Sequence, residues 1–327
     1  MMEPLSNSLP PECIAKLRSC KSLPTPPKVA LQLIKLAQDP ELNIDDVVKV
    51  IGVDPALTAK LMRRANSPIY AHQKKANSLQ KAVMLIGFNG VLSLALSFSL
   101  VKSLRRDSAE GLDHSTFWRR ALISGSAALA VGQACKRQDL EELFVAAFIQ
   151  DIGMLVLDQV EPTLYANPDL DQTVHQRMLE HEQEHFGATH AVVGSWLLTE
   201  WNFPDDLARV IQASDDPTLI PPDTEDRLFF QCVAISGTIA DLCLTKASDE
   251  TLLDISEHLQ TDLHLGPLAF LEIFKNIKEL VKESEPLFEI TNVGEEDPDT
   301  ILERAQQLLE IRTAKLDQHL NTLAAQV

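Results

Sequence analysis

Apolar residues recur along this chain at intervals of three and four rather than in alternation. Val29, Leu33, Ile34, Leu36 and Ala37 form one such stripe, and Leu57, Leu61, Met62 and Ala65 form another; a surface helix buries a face of this kind. The residues between the stripes start and stop helices. Pro11 to Ser19 is a short helix expected to pack loosely, and Leu23-Pro24-Thr25-Pro26-Pro27 leads into the stripe that Asp39-Pro40 closes. Asn43 suits a helix cap, with Asp45 and Asp46 favoured by the dipole in the first turn. Asp54-Pro55 is a second cap with proline at the first helical position, Asn66-Ser67-Pro68 is a break, and Ser78 caps a short helix ending near Gly87. Val91 to Leu104 is apolar nearly all round and predicts a buried helix.

The charged stretch from Arg105 to Gly111 reads as a joint. Helices are then expected from Phe117 to Ala134, from the cap Asp139 to Gln150, from Thr173 to His185, from Gly187 to Trp201, from Arg227 to Thr245 and from Leu265 to Lys282. Glu295-Glu296-Asp297-Pro298 is an acidic linker. Beyond it a polar helix carries Leu302, Leu309, Leu316 and Leu323 on one heptad row, against a poor companion row of Ala305, Arg312 and His319. Two readings of that helix stand: it lies on the bundle, or it pairs with a twin or leads to an output domain. The divisions expected are 1–22, 23–105, 106–290 and 291–327.

Composition narrows the picture. Apolar residues make up 45% of the 327, with 12 glycines and little alternation. The expected fold is all-α: two packed helical subdomains and a C-terminal extended helix. A net charge of −18 repels phosphate backbones and argues against nucleic acid; Lys60, Arg63 and Arg64 read as a solvated helix face. The 5 cysteines include no Cys-x-x-Cys and suit free thiols in a reducing cytoplasm. Met1-Met2-Glu3-Pro4 does not resemble a signal peptide, and Val91 to Val101 is too short to span a bilayer.

Two stretches carry candidate chemistry. Phe148-Ile149-Gln150-Asp151-Ile152-Gly153 resembles the central signature of the HD-type metal phosphohydrolases, in which a His-Asp pair binds metal; the histidine is here Gln150. Read without that resemblance, Gln150-Asp151 is a helix end before a glycine stop. The run Leu23-Pro-Thr-Pro-Pro, then Asp54-Pro-Ala-Leu-Thr-Ala-Lys-Leu-Met-Arg-Arg-Ala-Asn-Ser-Pro, then Ala82-Val-Met-Leu-Ile-Gly resembles the HDOD (HD-related output domain) family over roughly residues 20 to 285. The resemblance implies an all-helical regulatory module of bacterial signalling. It implies work through a protein partner or a GGDEF-type output domain, and a link to cyclic-di-GMP. It places the former metal ligands at Arg120, Gln150, Asp151, His190, Ser214 or Asp215, and Asp241. Only Asp151, His190 and Asp241 keep good ligand chemistry there. Arg120 is always charged and is expected to stand in for a cation beside Asp151 or Asp241. The expectation is therefore no bound metal, no cofactor and no enzymatic activity, with a residual metal-dependent phosphohydrolase as the alternative.

The second stretch is His181-Glu182-Gln183-Glu184-His185, a literal H-E-x-x-H with the spacing of a zinc peptidase helix. Polar residues between the histidines favour a solvated helix instead. His72, His114 and His175 carry no partner pattern, and Trp118, Trp196 and Trp201 read as core.

Overall fold

A computed structural model describes residues 9–20, 23, 26, 28–37, 43–70, 74–105, 111–221, 223–245, 249–290, 301, 303–304 and 306–307. Its helices are α1 (Pro11–Ser19), α2 (Lys28–Ala37), α3 (Ile44–Gly52), α4 (Pro55–Ala65), α5 (Leu79–Ile86), α6 (Phe88–Leu104), α7 (His114–Ala134), α8 (Leu140–Phe148), α9 (Ile152–Val160), α10 (His175–His185), α11 (His190–Glu200), α12 (Asp205–Gln212), α13 (Arg227–Leu244), α14 (Asp249–Thr261) and α15 (Pro267–Phe288). No strand occurs among the described residues.

The caps explain where the helices begin. The Asn43 side chain accepts from Asp46 N at 3.1 Å, and Asp54 Oδ1 accepts from Ala56 N and Leu57 N at 2.9 and 3.1 Å. Asp113 does the same for Ser115 N and Thr116 N, so α7 starts before Phe117. Asp139 makes no capping bond and pairs with Arg137 instead. Gly87 turns the corner between α5 and α6, a bend of 110°, at φ +86°, where a side chain is strained.

The core is continuous from the N-terminal helices into the bundle. Helix α7 is its axis, buried on every side from Arg120 to Gly132 and packed on α8, α13 and α15. Phe98 of α6 meets Phe288 of α15, which meets Phe148 of α8, which stacks on Trp118 of α7, with ring centroids 4.7, 4.6 and 5.8 Å apart. The stretch Leu140–Val160 and helix α13 are long and apolar enough to cross a membrane by composition. The fold uses that apolarity inside the bundle, where 89% of the 18-residue apolar window in the first and 61% of the second are buried.

Arg64 is not part of a solvated face. Its side chain is 1% exposed, and Nε and Nη2 donate to Glu141 Oε1 and Oε2 of α8 at 2.8 and 2.9 Å. Tyr70 Oη donates to the same carboxylate at 2.8 Å. Helix α1 is also more firmly seated than expected. Cys13 and Leu17 are buried, the Cys13 thiol donates to Phe186 O at 3.2 Å, and Lys16 and Arg18 pair with Glu161 and Glu200.

The sequence patterns did not foretell α9, α12 or α14 as helices, and α15 runs beyond Lys282 to Phe288. The linker from Glu295 to Pro298 and the heptad leucines, with any homodimer built on them, lie outside the described residues. In the same segment Ile301 is buried on the core and Arg304 pairs with Asp249 at 2.9 Å.

Candidate metal centre

The junction of α8 and α9 places Asp151. Gln150 and Asp151 lie in the turn after α8, and Asp151 is the residue just before α9. Gly153 does not stop a helix; it lies inside α9. A Cβ there would stand 2.0 Å from His190 O and 2.7 Å from Gly194 N. The missing side chain therefore lets the backbones of α9 and α11 touch, which brings Asp151 to His190.

His190 opens α11 and is fully buried. Its backbone N–H donates to Glu182 Oε2 at 2.7 Å, and its Nδ1 lies 2.7 Å from the same oxygen. Against a carboxylate, Nδ1 carries a proton, so Nε2 is the nitrogen that can bind an ion once it gives up its own. Tyr165 Oη donates to Glu182 Oε1 at 2.6 Å and fixes the carboxylate in turn. Burial pushes the Tyr165 hydroxyl well above its ordinary pKa, and the Glu182 charge adds to this.

His190 Nε2 faces Asp215 Oδ2 at 3.1 Å and Asp151 Oδ1 at 3.5 Å. His175, the first residue of α10, reaches Asp215 Oδ1 through Nε2 at 2.8 Å. Asp151, His175, His190 and Asp215 thus offer ligand atoms that all lie within 4.8 Å of one another. Three of those side chains leave a buried atom with no hydrogen-bond partner: Asp151 Oδ1, His190 Nε2 and Asp215 Oδ2. Orphaned buried polar atoms that converge are costly without an occupant. Ligands on an ion of zinc or manganese size stand about 2.0–2.2 Å from it, so a slight contraction of the set accommodates one. Two imidazoles and two carboxylates suit a first-row divalent ion. The residues present fit such an ion.

Charge ties the same side chains together. Burial alone would lower the pKa of His190, but the Glu182 and Asp215 carboxylates outweigh it and hold the pKa well above the imidazole value. Burial would raise the Asp215 carboxyl, yet His175 and His190 hold it well below the carboxylate range. Asp151 behaves alike: burial opposes, Arg120 and His190 prevail, and its pKa falls to about 2.

Arg120 borders the cluster. Its Nη1 bonds Asp151 Oδ2, and its Nε donates to Asp241 Oδ1 of α13 at 2.8 Å. Burial would lower its pKa, but Asp151 and Asp241 raise it. Gly237 makes room: a Cβ there would lie 3.3 Å from Arg120 Nη2 and 3.1 Å from Gln150 Nε2. A cleft lined by Thr116, Phe117, Arg120, Gln172, Thr173 and His175 leads to this edge and encloses about 20 Å³, room for one water molecule. A larger hollow at Asn43, Ile44, Asp45 and Phe88 is an open surface depression remote from the cluster.

Several expectations change. The absence of a metal site and of enzymatic activity rested on Arg120 and Gln150 standing where histidines are needed. His175, which the sequence patterns passed over, supplies the second imidazole from another helix, and Asp215 rather than Ser214 supplies the second carboxylate. Asp241 binds Arg120 and is not in the four-residue set, and neither polar atom of the buried Gln150 side chain has a partner. His181 and His185 do not form a zinc pair with Glu182. His181 Nε2 meets Leu164 O at 2.8 Å, His185 Nδ1 meets His181 O at 2.9 Å, and Glu182 turns inward to His190.

Comparisons place the chain among known proteins. The sequence profile of the HDOD domain matches residues 23–217. An uncharacterized protein of Treponema pallidum (strain Nichols) is 22% identical over 194 residues, 58% of this chain; the match spans only 37% of that relative. Among solved structures, an HDOD domain protein of unknown function from Geobacter sulfurreducens is 20% identical at a TM-score of 0.65, covering 84% of this chain and 96% of its own. A protein from Shewanella amazonensis SB2B, provisionally called a metal-dependent phosphohydrolase, is 19% identical at 0.61, covering 83% and 96%. One from Marinobacter aquaeolei VT8, provisionally called a signal transduction protein, is 19% identical at 0.57, covering 85% and 65%. At these identities the likeness is one of fold.

Proposed function

The chain belongs to the HDOD family, and from that premise we propose that it is a regulatory signalling module whose buried pocket takes up one divalent cation. The observation that carries the reading is the convergence of Asp151 Oδ1, His190 Nε2 and Asp215 Oδ2, buried and without hydrogen-bond partners, with His175 beside them. The four ligands come from separate pieces of chain: the start of α9, the start of α10, the start of α11 and the turn after α12. An ion held there would bind those pieces to one another, and its loss would free them to move. That coupling gives a module of this kind a state for a partner to read, whether a separate signalling protein or a GGDEF-type output domain in a cyclic-di-GMP circuit. A cytoplasmic location fits such partners.

The test is metal analysis of the purified chain after equilibration with zinc or manganese and removal of free ion. About one ion per chain is expected, falling to background in His190→Ala and Asp215→Ala. Substoichiometric metal in the parent chain refutes the pocket. Pull-down from the native cell with and without chelator then tests the signalling half; a partner set indifferent to metal refutes the coupling.

A second reading is favoured by the cleft that reaches Arg120 beside the cluster. It is metal-dependent hydrolysis of a phosphoester. A bound ion would supply a Lewis acid and an activated water. Arg120 would orient the phosphate, exchanging its bond to Asp241, the more exposed partner at 28%, for a phosphate oxygen. Asp151 would keep the guanidinium in place meanwhile. Metal-dependent turnover of bis(p-nitrophenyl) phosphate, lost in Arg120→Ala and Asp151→Asn, supports this reading; no turnover with the ion bound excludes it.

A further inference from the structure

Three of the four converging side chains stand where a helix begins: Asp151 just before α9, His175 opening α10 and His190 opening α11. Helix α1 meets the other end of all three. Lys16 pairs at 3.2 Å with Glu161, the C-terminal cap of α9, and the thiol of Cys20, which caps α1, donates to Gln159 O at 3.8 Å. The Cys13 thiol donates at 3.2 Å to the carbonyl of Phe186, the C-terminal cap of α10, and Lys16 Nζ lies 5.0 Å over the Phe186 ring. Arg18 pairs at 3.1 Å with Glu200, the last residue of α11. The contact at α10 bears directly on His190. Phe186 N and Gly187 N donate to Glu182 O at 2.8 and 3.2 Å, and the Glu182 side chain holds His190. Gly187 turns the chain at φ +88°, and a Cβ there would lie 3.6 Å from Cys13 Sγ. The turn between α10 and α11 sets where His190 begins its helix, and α1 lies against that turn.

The hold on α1 is narrow. Leu9, Cys13 and Leu17 follow one another at the spacing of a helix face and are 4%, 1% and 0% exposed. The side chains of the two ion pairs are 34–65% exposed, so those pairs contribute little. A helix of 9 residues has little stability of its own in water; α1 is helical because it is seated. An element held by so few buried side chains opens before the rest of a fold.

We propose, on the reading of the four-residue set as an ion site, that α1 is a strap coupled to that site. Seated, it holds α9, α10 and α11 at the spacing that closes on an ion; released, it lets that spacing relax. Helices of 9 to 11 residues are about 14–16 Å long and carry a shift of one end to the other. Coupling between two sites runs in both directions. Release of α1 loosens the ion, and the ion fastens α1.

The test uses the whole chain. Hydrogen exchange of the parent, read by mass spectrometry with and without saturating zinc, needs no substitution: the amides of α1 should exchange about tenfold more slowly with the ion bound. Leu17→Asp puts a charge on the seated face, and Lys16→Glu with Arg18→Glu makes both ion pairs repulsive without touching the core. In calorimetric titration Leu17→Asp should bind zinc about tenfold more weakly, and the charge-reversed chain should shift in the same direction. Arg64→Met, which loosens α4 instead, should bind zinc as the parent does. If Leu17→Asp does not fold, the exchange measurement and the charge-reversed chain decide. Zinc bound by the parent with α1 exchange unchanged, or variants within about twofold of the parent affinity, overturns the strap and leaves the ion site standing. Equal weakening in Arg64→Met also overturns it, by assigning the effect to general loss of stability. A parent chain that binds no zinc overturns both.

Discussion

Replacing Arg64 with methionine tests how α4 is held to the bundle. The substitution keeps much of the side-chain volume and removes the guanidinium. Glu141 would then remain buried, with its side chain 3% exposed and Tyr70 as its remaining hydrogen-bond donor. Glu283, whose carboxyl is pushed up by burial and down by Arg64, would lose that cation's influence as well. Breaking a buried ion pair from one side costs about 3–5 kcal/mol, because the surviving charge stays out of water. Arg64 also lies 5.4 Å over the Phe144 ring, a contact that methionine replaces only in part. Arg64→Met is therefore expected to lose at least about 3 kcal/mol, read as a shift of the urea midpoint by far-ultraviolet circular dichroism. Arg64→Met combined with Glu141→Leu removes both charges, and most of the loss should return. A loss in Arg64→Met within about 0.5 kcal/mol of zero, the range of an ordinary surface substitution, would refute the reasoning. So would a double variant no better than the single.

Glu182→Gln should weaken zinc or manganese binding about 10–100-fold while leaving the ligands in place; calorimetric titration measures it, and unchanged affinity contradicts the orienting role. Gly153→Ala places a methyl 2.0 Å from His190 O and should abolish the soluble folded state, whereas Gly266→Ala, with nothing within 4 Å, should be close to neutral; circular dichroism of the two settles it. Divalent-ion affinity should rise with pH, because the raised pKa of His190 keeps its Nε2 protonated until an ion displaces the proton; titrations in buffers of different ionisation enthalpy should show proton release, and none would refute the assignment. For the metal-free chain, the raised His190 stabilises below about pH 6.5, and that share is lost as pH climbs through its folded value. Asp151, lowered to about 2, and Asp215 stabilise above the ordinary carboxylate range and lose that share as pH falls through their folded values. Melting temperature should therefore drop on both flanks, and bound metal should remove the alkaline drop.

Local signals in the sequence located most helix ends. Asn43, Asp54 and Ser78 each act through a bond to a backbone N–H within three residues, so their role is readable from neighbours alone. The centre was harder because it is assembled by tertiary contact. His175 and Asp215 are 40 residues apart and meet only after α10 and α12 are packed. Glu182 drew attention as part of an H-E-x-x-H run, but its partner is His190, one helix later. Arg64 looked like one of several surface cations because Glu141, which pairs with it, lies 77 residues on. Asp113 was passed over because the apolar pattern of α7 becomes clear only at Phe117.

The contact of bare backbone at Gly153 with His190 and Gly194 bears on which ions this protein can tell apart. Side chains that yield can let a coordination sphere shrink, but two main chains already in contact cannot draw closer along that direction. The spacing of Asp151 and His190 thus has a floor inherited from the skeleton of the fold. Any closing of the set on an ion would come from the rotation of side chains, and the smallest ions, which ask for the tightest set, would meet that floor first. A lower limit on ionic radius would then be encoded in two glycines that never touch the ion.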